Sequence, residues 1–129
     1  MRYLALDVGD RRIGLAVGDD AFGLTRALPT LHRSRRLAAD IERIASIARS
    51  EEVAVFVIGL PLTLQGDEGE QAARVRRFAE ALAPAGFPLE LYDERNTTIE
   101  AVRRGADDPD AGAARLILED FLAARKARS

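Results

Sequence analysis

The chain has 129 residues, the usual size of one domain, and its 47% hydrophobic and 31% charged residues indicate a folded globular protein rather than a disordered one. It contains no cysteine, which excludes a disulfide framework, a thiolate zinc site and a cysteine nucleophile. Because the net charge is −2, any attraction to nucleic acid would have to come from a local patch of basic residues.

The beginning of the chain and its hydropathy bear on location. Residues 1–12 lack the order of basic, apolar and small residues found in signal peptides, and no apolar run approaches membrane-spanning length. We therefore expect a cytoplasmic protein with no membrane contact, built as a single domain over residues 1–129.

The first half of the chain alternates between strand and helix patterns. Apolar runs at residues 3–8 and 13–17, separated by turn-like residues, predict a β-hairpin. A short third strand is expected near residues 24–28, stopped by Pro29. Helical spacing of apolar residues begins after it, with Ser34 or a neighbouring residue as the expected N-cap. The run at residues 53–58 is typical of a strand buried on both faces in a parallel sheet.

The second half predicts further helices and one strand. A helical pattern ends by Pro84, residues 89–92 form a short strand, residues 97–104 form a short helix, and a last helix begins at Asp110. Strands that alternate with helices imply a right-handed parallel crossover. The sequence therefore predicts an α/β domain with a mixed sheet, in which antiparallel opening strands are followed by parallel strands and flanked by helices.

Four carboxylates stand near the ends of these elements. Asp7 ends the first strand among core-like residues, Asp93 and Glu94 follow the last strand, and Asp110 opens the last helix. Ligands of open α/β sheets bind beyond the carboxyl ends of the strands, so these acids can meet at one place. Hard oxygen ligands suit Mg²⁺ or Mn²⁺, and two such ions about 4 Å apart can promote phosphodiester cleavage.

Each acid also has a purely structural interpretation. Asp7 can cap the turn with Gly9, Asp93 can pair with Arg95, Glu94 can be a surface charge, and Asp110 can be an N-cap. Spacing alone does not choose between the two interpretations.

Four segments carry a family resemblance: LALDVGDRRIGLAVGD (residues 4–19), VIGLPLTLQGDEG (57–69), YDERNTT (92–98) and DAGAARLILEDFL (110–122). In order and spacing, over nearly the whole chain, they resemble the YqgF or RuvX family. The resemblance implies a ribonuclease H-like fold, a relation to Holliday junction resolvases, and a metal-dependent nuclease that matures the 5′ end of the 16S ribosomal RNA precursor. A nuclease acting on branched or single-stranded DNA is the alternative, and the oligomeric state stays open between a monomer and a homodimer.

Carried over by position, the resemblance implies that Asp7, Asp93, Glu94 and Asp110 form the catalytic set, with Mg²⁺ or Mn²⁺ as cofactor. Adjacent residues on a strand point to opposite faces, so the sequence does not decide which of Asp93 and Glu94 is the metal ligand. We favour Asp93 slightly, which gives Asp7, Asp93 and Asp110 as the metal set. Asp19 also matches a recurrent acidic position, although it can simply end the hairpin.

The chain departs from the family pattern in two loops. Asn96 stands where family members usually have the leucine of DERLTT, and Thr63, Gln65 and Asp67 stand where Asn, Asp and Ser usually follow GLPL. These changes leave the acids intact but put the substrate contacts of the second loop in doubt.

Arginines are the expected contacts to nucleic-acid phosphates, which position a strand without reading its sequence. The candidates flank the acids, with Arg95 the strongest: Arg11, Arg12, Arg74, Arg76, Arg77 and Arg95. Gly59, Gly66 and Gly69 can let backbone N–H groups approach a phosphate, or can simply form a flexible connection. His32 lies in a basic loop, and we expect no role for it.

Two other functions compete with the nuclease. The Asp-x-Gly hairpin also opens actin-like ATP-binding proteins and sugar kinases, but these need two such domains and this chain has room for one. The second competing function is that of a non-catalytic ribosome-assembly factor that binds precursor RNA. A protein that only binds a polyanion gains nothing from clustered acids, which counts against this function.

Overall fold

The computed structural model describes residues 1–95 and 109–128, apart from the side chains of Arg95, Pro109, Ala111 and Arg128. The elements, in chain order, are β1 (Arg2–Val8), β2 (Arg12–Asp19), β3 (Thr25–His32), α1 (Leu37–Ser50), β4 (Val55–Leu62), α2 (Glu70–Leu82), β5 (Leu89–Arg95) and α3 (Pro109–Arg128). A 3-10 turn, Ala83–Ala85, follows α2. The short helix expected at residues 97–104 lies outside the described residues.

The strands form one mixed sheet in the order β3-β2-β1-β4-β5. β1 pairs antiparallel with β2, with Asp7 opposite Gly14, and β2 pairs antiparallel with β3. β4 lies parallel to β1, and β5 lies parallel to β4. The predicted α/β fold with an antiparallel opening and parallel strands is therefore confirmed.

Side chains that alternate along β1 divide the core into two layers. Leu4 and Leu6 point into the layer covered by α1 and α2, whereas Tyr3 and Ala5 point into the layer covered by α3. Every one of these four side chains is buried. This alternation decides which functional side chains can meet, because a residue on β1 faces either α3 or the α1 and α2 pair.

Two glycines let α3 lie close to the sheet. A Cβ atom at Gly59 would lie 2.6 Å from Ile117 Cδ1, and one at Gly18 would lie 2.9 Å from Leu118 Cδ2. Gly59 therefore serves the packing of a helix, and the suggestion that its backbone approaches a phosphate is not supported by its place under Ile117.

Three strands are longer than the sequence predicted. β3 does not stop at Pro29 but continues to His32, which is paired with Arg12 and does not lie in a loop. Proline is tolerated there because β3 is an edge strand, and its register against β2 shifts between Ile13 and Leu15. β4 continues past Gly59 to Leu62, and β5 continues to Arg95, so Asp93 and Glu94 lie within a strand.

The helices begin and end near the predicted positions. Arg36 occupies the N-cap position of α1 without a side-chain cap, while Ser34 bonds the buried Asp40 in the first turn. Within residues 1–95 and 109–128, no helix is both long enough and apolar enough to cross a membrane.

Candidate active site

One end of the sheet gathers the predicted site. β1, β4 and β5 run parallel, so their carboxyl ends lie together, and the β1–β2 turn follows β1 at the same end. α3 also begins there, because Asp110 Oδ2 in its first turn lies 3.1 Å from Arg12 Nε at the start of β2. This is the end of the sheet where ligands of open α/β folds bind.

Asp7 faces α3. It lies between Leu6 and Val8, both packed in the layer under α1 and α2, so alternation turns its side chain to the same face as Ala5. The side chain is half-buried on a central strand. A carboxylate in such surroundings needs charged or polar company, which suits a role in binding.

Asp93 and Glu94 point to opposite faces of β5. Tyr92 packs edge-on against Phe121 of α3 with ring centroids 5.7 Å apart, so Glu94, two residues further on, shares the α3 face. Asp93 is exposed on the other face, where its charge acts on Arg76 of α2. The preference for Asp93 over Glu94 therefore disagrees with the placement, since Glu94 is the member of the pair that shares the face of Asp7.

Glu94 is bound to a second carboxyl group, that of Asp120 in α3. The pKa of Glu94 is raised to about 7, first by burial, then by the charge of Asp120 and by the hydrogen bond that Glu94 donates to it. The pKa of Asp120 is also raised, first by burial and then by the charge of Glu119. Among the described residues, Glu94 Oε1 is buried without a hydrogen-bond partner. Below a pH of about 7, one proton is therefore held between these two side chains.

Asp110 is paired with a cation. Its side chain is 18% exposed and Arg12, at 3.1 Å, is 58% exposed, so a largely buried carboxylate meets a guanidinium that reaches in from solvent. Arg12 therefore neutralises an acid of the site, and because Asp110 is largely buried, Arg12 can leave only where another cation takes its place.

The donor chemistry fits a hard divalent cation. Asp7, Glu94 and Asp110 offer only carboxylate oxygens, and the Oε1 atom of Glu94 lacks a hydrogen-bond partner in the described part of the chain. In that same part of the chain, no three acidic or histidine side chains stand close enough together to hold an ion. The structure therefore does not bring the predicted acids together, because Glu94 bonds Asp120, which lies ten residues further along α3 than Asp110. A bound ion would require Glu94 and Asp110 to approach each other and Asp110 to leave Arg12.

Arginines surround this end of the sheet, and several are already paired. Arg74 lies 3.6 Å from Asp10 and donates to Gln71, while Arg76 makes two hydrogen bonds to Glu68, of 2.6 and 2.9 Å. Arg11 and Arg77 are exposed without an ion pair in the described ranges. The side chain of Arg95 lies outside the described part of the structure.

Two side chains that the sequence analysis did not identify brace the β1–β2 turn. Gln71 Nε2 donates to the carbonyl oxygen of Val8 at 3.1 Å, and Arg33 donates to that of Gly9 at 2.9 Å. Asp120 was missed as well, although its position three residues after the buried Ile117 places it at the edge of the apolar face of α3. The three-residue spacing from Ile117 was the sequence feature from which a role for Asp120 could have been predicted.

A separate cavity of about 670 Å³ lies at the opposite end of the sheet, between the β2–β3 turn and the end of α3. Its lining includes the exposed Phe22 together with Leu122 and Arg125. Because its lining contains none of Asp7, Glu94 and Asp110, we do not assign the chemistry to it.

Comparison with known proteins identifies the family of this chain and agrees with its fold. The family model RuvX, described as Holliday junction resolvase, matches residues 1–124. A relative from Anaeromyxobacter sp. (strain Fw109-5), named “Putative pre-16S rRNA nuclease”, is 45% identical over 139 residues that cover 98% of this chain and 100% of the relative. RuvC from T. thermophilus, in complex with Holliday junction substrate, matches with a TM-score of 0.66 and 16% identity over 98% of this chain and 96% of that chain.

A third comparison is with a longer chain. A ROK family protein from Streptococcus pneumoniae in complex with sucrose matches with a TM-score of 0.50 and 13% identity, over 81% of this chain but only 37% of that chain. At this identity the likeness concerns the fold alone. It does not carry the function of that larger protein over to this one.

Proposed function

This chain belongs to the RuvX family and is a nuclease, and from that premise we propose that it matures the 5′ end of the 16S ribosomal RNA precursor in the cytoplasm, using Mg²⁺ or Mn²⁺. The proposal takes residues 1–129 as one nuclease domain. It rests first on the placement of Asp7 and Glu94, which share the α3 face near the carboxyl ends of two parallel strands. A homodimer remains a prediction.

The proposed metal set is Asp7, Glu94 and Asp110. The three residues come from β1, β5 and α3, and Asp93 is left out because it faces α2. When bound, a divalent ion would activate water and neutralise charge on the leaving oxygen. No side-chain nucleophile is then required.

The remaining groups bind and orient the nucleic acid. Arg11, Arg12, Arg74, Arg77 and Arg95 are the proposed phosphate contacts, and Gln71 and Arg33 hold the turn that carries the first two. A strand of nucleic acid is thereby positioned through its backbone, and sequence is not read. We therefore expect single-stranded or locally opened substrates, bound less tightly as salt rises.

The charge distribution supports this. The chain carries a net charge of −2, yet several arginines lie at one end of the sheet: Arg11, Arg12, Arg33, Arg35, Arg36, Arg74 and Arg77. The local patch that a weakly acidic nucleic-acid binder needs is thus next to the acids. A non-catalytic RNA-binding factor would need the arginines but has no use for Asp7, Glu94 and Asp110 on one face.

Cleavage of end-labelled ribosomal RNA precursor, with four-way junction DNA as the competing substrate, tests the proposal. We expect cleavage of the RNA with Mg²⁺ or Mn²⁺, none with chelator, and none by Asp7→Asn. The Asp10→Asn variant is the matched control, because Asp10 follows β1 in the β1–β2 turn but is exposed and paired with Arg74. Cleavage of the junction alone would favour the DNA nuclease, and binding without cleavage would favour the assembly factor.

A further inference from the structure

The segment of residues 33–36, between β3 and α1, holds the β1–β2 turn through Arg33, and its Arg35 and Arg36 lie beyond the phosphate contacts proposed above. We propose that it extends the substrate path, so that Arg35 and Arg36 bind phosphates of a single strand that leaves the active site across the β1–β2 turn. The inference rests on the proposed nuclease function and adds a binding site some nucleotides away from the cut.

The segment lies directly against the turn. The backbone N–H of Arg33 donates to the carbonyl oxygen of Arg11 at 2.8 Å, and the Arg33 guanidinium donates to that of Gly9 at 2.9 Å. Arg11 and Arg12 of this turn are proposed phosphate contacts, so a strand bound to them reaches the segment next. β3 lies two strand spacings from β1, about 10 Å, which a stacked strand covers in roughly three nucleotides.

The segment is held in place by a buried carboxylate. Asp40 is the one charged side chain that is fully buried among the described residues. Its Oδ1 atom accepts hydrogen bonds from the Ser34 backbone N–H at 3.0 Å and from Ser34 Oγ at 2.9 Å. Burying a carboxylate costs several kcal/mol unless it is paired, and here the bonds it makes fix the shape of a basic loop.

Arg33 adds a second fixed point. Its guanidinium lies 5.2 Å from the ring centroid of Phe78 in α2, a cation–π contact, while it also bonds Gly9. The backbone that precedes Arg35 is therefore tied to both the turn and α2. A pre-ordered basic segment loses less entropy on binding a polyanion than a flexible one does.

The charges of Arg35 and Arg36 are available. Both residues are exposed, and neither side chain has an ion pair with any described residue. Exposed arginines at the other end of the sheet differ in this respect: Arg26 lies 2.6 Å from Glu51, and Arg49 lies 2.9 Å from Glu42. The guanidinium groups of Arg35 and Arg36 can each donate two parallel hydrogen bonds to the oxygens of one phosphate.

The experiment compares Arg35→Gln/Arg36→Gln with Arg26→Gln/Arg49→Gln, which makes the same charge change at the opposite end of the sheet. Binding is measured in the Asp7→Asn background with metal present, on RNA strands of roughly two and roughly twenty nucleotides, so that only the longer can span the path. Thermal midpoints of both double variants confirm folding. Arg35→Lys/Arg36→Lys tests whether charge alone is sufficient.

We expect the first variant to lose most of the preference for the longer strand, and the slope of log affinity against log salt to fall by about 1.4, since each of the two phosphates that it no longer binds accounts for about 0.7. The lysine variant should restore that slope, and the opposite-end control should keep it. Equal losses on both strand lengths, or none on the longer, would overturn the proposal. Should the wild-type chain fail to cut RNA while the slope still changes, the proposed function is at fault and the binding path is not.

Discussion

Glu94 of β5 donates a hydrogen bond from its carboxyl group to the carboxylate of Asp120 in α3, so a member of the proposed metal set holds a proton up to a pH of about 7. The two carboxyl groups do not both ionise readily, because the charge of Asp120 raises the pKa of Glu94. A divalent cation would compete with that proton for Glu94.

The stored proton predicts a pH-dependent stability. The pKa of Glu94 is about 7 in the folded chain against a usual value of 4.5, so between these values the unfolded chain releases the proton while the folded chain keeps it. Stability without metal should therefore fall as pH rises from about 4.5 to 7. Because the side chain is half-exposed, we expect a loss on the order of 1 kcal/mol.

Denaturant unfolding of Glu94→Gln at several pH values checks this effect. The variant should be more stable than the wild type above pH 7 and should lack this part of the pH dependence. Glu90→Gln, at an exposed site of the same strand, is the control and should behave as the wild type does. An unchanged pH dependence in Glu94→Gln would show that the proton is held elsewhere.

Arg12→Gln should tighten the binding of Mn²⁺. Arg12 is paired with Asp110, and removing this competing ion pair, exposed only on the arginine side and worth about 1 kcal/mol, should raise metal affinity roughly five-fold. RNA binding should weaken at the same time, because the variant has one cation fewer to bind a phosphate. Calorimetric titration measures the first effect, with Arg11→Gln as the control for net charge; an equal gain in both variants would argue against direct competition at Asp110.

Asp7→Asn should abolish cleavage and leave the chain at least as stable as before when no metal is present. Asn keeps the size of the side chain but removes one of several acids on the α3 face. The thermal midpoint, measured without and with Mn²⁺, should rise less with metal than it does for the wild type. A large loss of stability without metal would instead assign Asp7 the role of bracing the turn.

Gly59→Ala should destabilise the fold by about 1–3 kcal/mol, because its Cβ would lie 2.6 Å from Ile117 Cδ1 in a close-packed layer. Ile117→Val removes that methyl group, so the double variant should be more stable than the sum of the single effects predicts. Chemical denaturation of the four proteins in this cycle measures the coupling. Additive effects would mean that α3 shifts as a whole to admit the methyl group.

The hairpin, the central strand and the helices could be predicted from local apolar periodicity, and the position of Asp7 followed from the first strand. The choice between Asp93 and Glu94 could not be made this way, because it depends on which face of β5 meets α3. The contact of Tyr92 with Phe121, residues far apart in the chain, settles that face.

Long-range pairs limited the rest of the site prediction. No local pattern shows that Asp120 bonds Glu94, or that Arg33 reaches back to Gly9. The expected end of β3 at Pro29 was wrong because proline interrupts a central strand but not an edge strand, and only the sheet order places β3 at the edge.

Pro29 affects the association of copies of this protein with one another at high concentration. An exposed edge strand offers unpaired N–H and C=O groups to any other extended chain, and this is a common start of aggregation. Pro29 removes one donor from that edge, and the register shift opposite residues 13–15 bends the strand near the same point. A second chain therefore cannot extend the sheet past β3 with an unbroken ladder, which protects a crowded solution of this protein from fibril growth on that side.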